Sequence, residues 1–177
     1  QRDFGENIVQ EAIPKIETIP VESVCWHFIG HLQTNKTRQV ASHFSWVHTV
    51  DRPKIAQRLS AQRPDQLPPL NVCLQVNTHG EETKNGADPT DVPELAKLVD
   101  RLPGLRLRGL MCLPPQETEF EQQRDNFRPL RELFDSLKAD GLALDVLSMG
   151  MTDDMRAAIA EGATIVRVGI GVFGPRV

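Results

Sequence analysis

The chain has 177 residues and a formal net charge of −4, from 20 basic and 24 acidic side chains. That length supports one domain with a sizeable core, and that charge gives no footing for a nucleic-acid or membrane-surface partner. No apolar run approaches the roughly 20 residues of a membrane-spanning helix, and Cys25, Cys73 and Cys112 fit neither a zinc nor a redox spacing.

In chain order, short apolar runs alternate with helical patterns. The first residue is Gln and the chain opens almost directly into IVQ, so residues upstream are expected. A predicted strand at 3–5 runs into Glu6 and Asn7. Asn7 reads either as the N-cap of a helix at 8–16 or as a polar group near the ligand end of a sheet. A strand at 25–29 follows, carrying Cys25 and His27. His27 and His31 stand at i and i+4, a metal-pair spacing on a helix. Here that spacing spans a strand and its loop, so no metal site is expected.

A helix at 36–42, a strand at 46–50 and a helix at 53–62 come next. Pro64, Pro68 and Pro69 punctuate the loop into a strand at 70–76. The helix at 92–102 shows its period clearly, with Val92, Leu95, Ala96, Val99 and Leu102 on one face. A strand at 105–111, a helix at 119–139 and a strand at 144–147 lead to a last helix at 153–161. Thr152 is its predicted cap, Asp153 and Asp154 suit its first turn, and Gly162 ends it. A seventh strand is predicted at 165–168. The three cysteines sit in or beside these apolar runs, which reads as reduced, buried thiols in a cytoplasmic protein.

Strand–helix alternation makes a parallel sheet. Seven strands leave an open doubly wound sheet or a (β/α)8 barrel lacking one unit, and the pattern does not separate them. In a barrel, phosphates often sit at the loops after strands seven and eight. Small residues fill both of the last two strand ends here, at 148–152 (SMGMT) and 167–174 (RVGIGVFG). Both turn chemistry and an anion cradled by backbone N–H groups answer to that composition. Arg167 lies inside the apolar run TIVRVGI and needs a partner, either a barrel-interior group or a ligand.

These stretches, in order, resemble the YggS/PROSC family of pyridoxal-5′-phosphate homeostasis proteins. The matching segments are FGENIVQE (4–11), WHFIGHLQTNK (26–36), LQVNTHGEETKNG (74–86), LRGLMCLPP (107–115), LSMGMTDDMRAAIAEGATIVRVG (147–169) and VFG (172–174), which together span most of the chain. The resemblance implies one domain over 1–177, a (β/α)8 barrel of the alanine racemase N-terminal type, here lacking its first strand and helix. It implies pyridoxal phosphate (PLP) bound at the strand ends. On that reading Ser148, Met149, Gly150, Met151 and Thr152 hold the phosphate, with the N–H groups of Gly169 and Ile170 on its other side. Arg167 faces the pyridine nitrogen, Asn7 lies near the ring, and His27 is a further neighbour. An unprotonated ring nitrogen is a weak electron sink, which suits a carrier.

Three departures stand out. The family's Schiff-base lysine belongs to a strand upstream of FGEN, and Lys15, Lys36, Lys54, Lys84, Lys97 and Lys138 all lie outside the predicted strands. Ile170 stands where many members have Thr, so only its N–H is left for a phosphate. His31 replaces the usual Pro. The resemblance implies a monomeric, cytoplasmic PLP homeostasis protein with no catalytic residues, and PLP-dependent apo-enzymes as its partner class. The alternative is a racemase-like PLP enzyme, which needs an acid/base on each face of its substrate. The chain has no tyrosine, the residue alanine racemases use on one face. A third reading is a phosphate-binding scaffold that has lost the cofactor.

Overall fold

The structure is a computed structural model and describes residues 1–19, 23–80 and 85–174. Lys84, with the rest of 81–84 in the loop of the third matching segment, lies outside them.

Six strands form one parallel sheet: β1 (Asp3–Glu6), β2 (Cys25–Phe28), β3 (Trp46–Val50), β4 (Leu70–Gln75), β5 (Leu105–Met111) and β6 (Val146–Ser148). Their spatial order is their chain order, β1-β2-β3-β4-β5-β6. A doubly wound sheet reverses its order at a switch point, whereas a barrel never does. The order therefore selects the barrel arrangement that the pattern left open. Helices α1 (Val9–Thr18), α2 (Thr37–His43), α3 (Pro53–Gln62), α4 (Val92–Asp100) and α5 (Phe120–Ala139) carry the chain from each strand to the next.

The strands bury two faces, so they read as near-continuous apolar runs. The outer face packs on the helices. Phe28, Val47, Leu74 and Leu110 meet Ile55 and Leu59 of α3, Val99 of α4 and Phe127 and Leu130 of α5 in one core. Burying each such side chain contributes about 1.5–3 kcal/mol. The inner face is different. Its apolar content is small, with Cys73, Met111 and Val146 packed against Trp46 and Ile165. Buried polar side chains, His27, His48, Gln75 and Ser148, belong to the strands as well.

Two close approaches need glycine. A Cβ on Gly109 would sit 1.7 Å from the Val146 carbonyl oxygen, so β5 and β6 pair closely only without one. A Cβ on Gly30 would lie 2.1 Å from the Asn7 carbonyl oxygen. Gly30 thus lets the chain beyond β2 pass under the β1–α1 turn.

Several boundaries differ from expectation. Helix α1 starts one residue late with Ile8 at its cap, and Asn7 precedes the cap. Strand β6 starts at Val146, because Leu144 turns onto Leu142 with an N–H to carbonyl distance of 2.9 Å. The predicted strand at 165–168 contributes a single bridge, Ser148 to Ile165. There Gly150 turns away at φ +91°, and the Arg167 N–H finds the Gly150 carbonyl at 2.9 Å. Helix α6 (Met155–Ala160) is shorter than predicted. Gly162 ends it at φ +90°, with the Ala163 N–H on the Ala158 carbonyl at 2.9 Å. A short helix, α7 (Ile170–Phe173), forms inside the glycine-rich loop that was read as irregular. Among the described residues no helix is long and apolar enough to cross a membrane.

Candidate functional site

The C-terminal end of β6 and the segment 165–167 bring the two small-residue loops together. Thr152 joins them: its Oγ1 accepts from the Gly171 N–H at 3.2 Å. It does not cap α6, as the sequence suggested. Asp154 takes that place and accepts from the Met151 N–H at 2.5 Å. The Met149 N–H is also committed, to the Ile165 carbonyl at 3.1 Å, and the Met149 side chain is buried in the outer core. The N–H groups of Gly150, Gly169 and Ile170 are among the backbone donors left at the meeting of the loops. Gly169 and Ile170 open α7 and are exposed.

Arg167 projects onto the inner face beneath this meeting point. Its Nη1 donates to the Ser148 carbonyl at 2.8 Å and to Ser148 Oγ at 2.9 Å, and its Nη2 donates to the Cys112 carbonyl at 2.9 Å. All three acceptors are neutral. Burial pulls its pKa down from the ordinary guanidinium value, the expected direction for a desolvated cation.

The sequence reading placed the Ser148 hydroxyl on a phosphate. The structure turns it inward. It is fully buried, and besides Arg167 it meets His48 Nδ1 at 2.7 Å. His48 Nε2 lies 2.9 Å from His27 Nδ1, and His27 Nε2 lies 3.1 Å from Asp3 Oδ1. His27 also stacks on Trp46, with centroids 5.2 Å apart and planes 8° from parallel. His27 is thus an interior group below the strand end. Asn7, by contrast, is exposed just past β1.

His48 is the interior residue that sequence reasoning missed. It sits in WVHTV, where alternation puts Trp46, His48 and Val50 on one face, and a lone histidine there was absorbed into an apolar strand. Burial is the main cause that holds His48 well below the ordinary imidazole value, with His27 and Arg167 adding to it. Burial lowers His27 too, against the opposing pull of Asp3.

His27 and His31 do not converge on a metal. Among the described residues, Asp3, Cys25 and His27 do bring donor atoms within 4.8 Å of one another, but both ring nitrogens of His27 already have partners. Burial raises all three thiols above their ordinary value, those of Cys73 and Cys112 to about 12. The described lysines lie outside the strands, although Lys15 Nζ reaches the Glu6 carboxylate at the end of β1 at 2.7 Å. Lys15, Lys54, Lys97 and Lys138 lie on helices α1, α3, α4 and α5, and Lys36 ends a 3-10 turn at Thr34–Lys36.

Residues 1–177 match the family described as the alanine racemase N-terminal domain. The chain belongs to that family. Curated relatives of the chain include pyridoxal phosphate homeostasis proteins. That of Pseudomonas aeruginosa is 58% identical over 175 residues, covering 99% of this chain and 75% of the relative. PipY of Synechococcus elongatus PCC7942, solved without PLP, has a TM-score of 0.89 at 37% identity, covering 98% of this chain and 82% of PipY. Its PLP-bound form gives 0.87 at 36% identity, with the same coverage. The family and barrel type implied by the FGEN, HFIG and SMGMTDDM segments are therefore those found.

Proposed function

We propose that this chain binds pyridoxal phosphate at the C-terminal ends of its strands and serves PLP homeostasis as a carrier with little or no turnover. The observation that carries the reading is Arg167. It is a desolvated guanidinium with only neutral hydrogen-bond acceptors, under a junction of two glycine-containing loops. Three of its five N–H donors are engaged, which leaves two for an acceptor on a ligand ring.

The chain's own groups divide the ligand between them. The N–H groups of Gly150, Gly169 and Ile170 receive the phosphate, with Thr152 holding the two loops in register. Arg167 donates toward the ring nitrogen, and Asn7, just past β1, borders the ring. Ser148, Met149 and Met151 shape the loop, while their polar groups are committed to partners within the chain. Ile170 contributes through its backbone, so the missing hydroxyl costs one contact and leaves the cradle. Bound PLP supplies an aldehyde and an electron-accepting ring. An arginine donor keeps that ring nitrogen unprotonated, which suits storage over turnover. The partners are PLP and PLP-dependent apo-enzymes, and the protein works as a cytoplasmic monomer. The PLP-bound form of PipY supports the ligand.

Binding of PLP to this chain, followed by absorbance and equilibrium dialysis, tests the reading. One PLP per chain is expected, with pyridoxal at least tenfold weaker because it lacks the phosphate, and with Arg167→Ala weakening PLP by about tenfold or more. Equal affinity for pyridoxal and PLP overturns the phosphate cradle, and no binding at all overturns the function.

A further inference from the structure

Five side chains form an unbroken line that starts at the base of the loop junction, crosses the barrel interior and ends on the exposed Asp3 carboxylate. From Arg167 Nη1 it runs to Ser148 Oγ (2.9 Å), to His48 Nδ1 (2.7 Å), from His48 Nε2 to His27 Nδ1 (2.9 Å), and from His27 Nε2 to Asp3 Oδ1 (3.1 Å). It joins the 165–167 segment, β6, β3, β2 and β1.

The two ends fix its direction. A guanidinium only donates, a carboxylate only accepts, and each neutral imidazole has one donor and one acceptor. With both rings neutral, one arrangement satisfies every atom. Arg167 donates to Ser148 Oγ, the Ser148 hydroxyl donates to His48 Nδ1, His48 Nε2–H donates to His27 Nδ1, and His27 Nε2–H donates to Asp3. The reverse order would set an imidazole lone pair against the carboxylate. Burial, which favours the neutral form of both rings, agrees with that state. The consequence for Arg167 is specific. Because the Ser148 hydrogen is committed to His48, an Oγ lone pair must face the guanidinium. Without His48 the hydroxyl loses the acceptor that fixes its rotation, and the lone pair facing Arg167 is held by the guanidinium alone.

We propose that Ser148, His48, His27 and Asp3 act as a one-way relay that positions Arg167, making His48 a positioning residue for the ring nitrogen of the bound cofactor. This rests on the reading that PLP binds above Arg167. The relay predicts that changes at His48 alter recognition of one ligand atom, where a packing role would alter the affinity for every ligand alike.

Two measurements test it. Long-range 1H–15N spectra of the ligand-free chain at neutral pH report the tautomers. Both His27 and His48 are expected as neutral Nε2–H rings with Nδ1 accepting, and Ser148→Ala should remove the donor at His48 Nδ1. A neutral Nδ1–H ring at His48, or two charged rings, overturns the relay. The second measurement compares PLP with its 1-deaza analogue, in which C–H replaces the ring nitrogen. The unaltered chain should prefer PLP by about tenfold or more. His48→Leu should shrink that preference below about threefold while the preference for PLP over pyridoxal persists. His48→Asn, whose carbonyl can accept from Ser148, should restore most of it. A ring-nitrogen preference that survives His48→Leu, or an equal loss of PLP and the deaza analogue, overturns the proposal. Failure of the unaltered chain to bind PLP removes the binding reading and the ring-nitrogen role with it, and the tautomers still decide the relay.

Discussion

At the scale of single residues, the interior of the barrel trades apolar burial for directed hydrogen bonds. His48 is 1% exposed and His27 6%, so each ring's charged form is penalised in the fold and not in the unfolded chain. Both have pKa values lowered from 6.5. Below pH 6.5 the unfolded chain therefore binds more protons than the folded one, and stability must fall as pH drops from there toward the folded values. Above pH 6.5 both states are neutral at these rings and the effect is complete. Urea unfolding at pH 7.5 and 5.5 should show a loss of up to about 1.4 kcal/mol per pH unit per histidine. His48→Leu should flatten that slope by roughly half. An unfolding free energy constant across the interval in the unaltered chain would contradict the buried neutral pair. The sequence singled out His27, because it stands in the recognisable WHFIG segment, but as a neighbour of a cofactor, and it showed Asp3 only as the start of a predicted strand. It concealed His48, whose neighbours Val47, Thr49 and Val50 make a plain buried strand.

At the scale of elements, long periodic segments were legible and short loop-like ones were not. The apolar face of α4 was read correctly down to Val92, Leu95, Ala96 and Val99, because four buried positions at helical spacing leave little choice. The four-residue α7 was missed, because glycines at 169, 171 and 174 argue against any helix by propensity. What holds it is tertiary. Its Gly171 N–H reaches Thr152 Oγ1, and its first turn closes on the Gly169 carbonyl from Val172 and Phe173, each at 2.9 Å. Thr152→Val keeps the shape and deletes the acceptor. Amide exchange at Gly171 should then speed up by about three- to tenfold, the range set by one net hydrogen bond of 0.5–1.5 kcal/mol. Exchange in α4 should stay as it is. An unchanged Gly171 rate would mean that α7 stands without the tie, and that the two loops are held in register by something else.

At the scale of the whole molecule, the sheet is strongest away from the loops proposed to take the phosphate. Strands β4 and β5 share six paired positions, from Leu70–Leu105 to Gln75–Met111, and Val72, Leu74, Leu110 and Met111 are fully buried. At the ends of the order, β1 alternates between exposed and half-buried residues, and the 165–167 segment holds on through one bridge and a few backbone bonds. The loops proposed to take the phosphate hang from that weaker end, and Ile170, Val172 and Phe173 are 63–73% exposed. Native-state hydrogen exchange should therefore grade across the sheet. Amides of β4 and β5 should exchange only through global unfolding, while those of β1 and α7 exchange through smaller openings. The relay adds a second expectation to that gradient. It ties β1, at Asp3, to the 165–167 segment, at Arg167, through the interior, so the two weak flanks should open together and not independently. Ser148→Ala breaks the line at its midpoint. It should raise exchange at both flanks, Phe4 and Arg167 alike, and leave β4 and β5 untouched. Faster exchange at one flank alone would show that the line carries hydrogen bonds without carrying coupling.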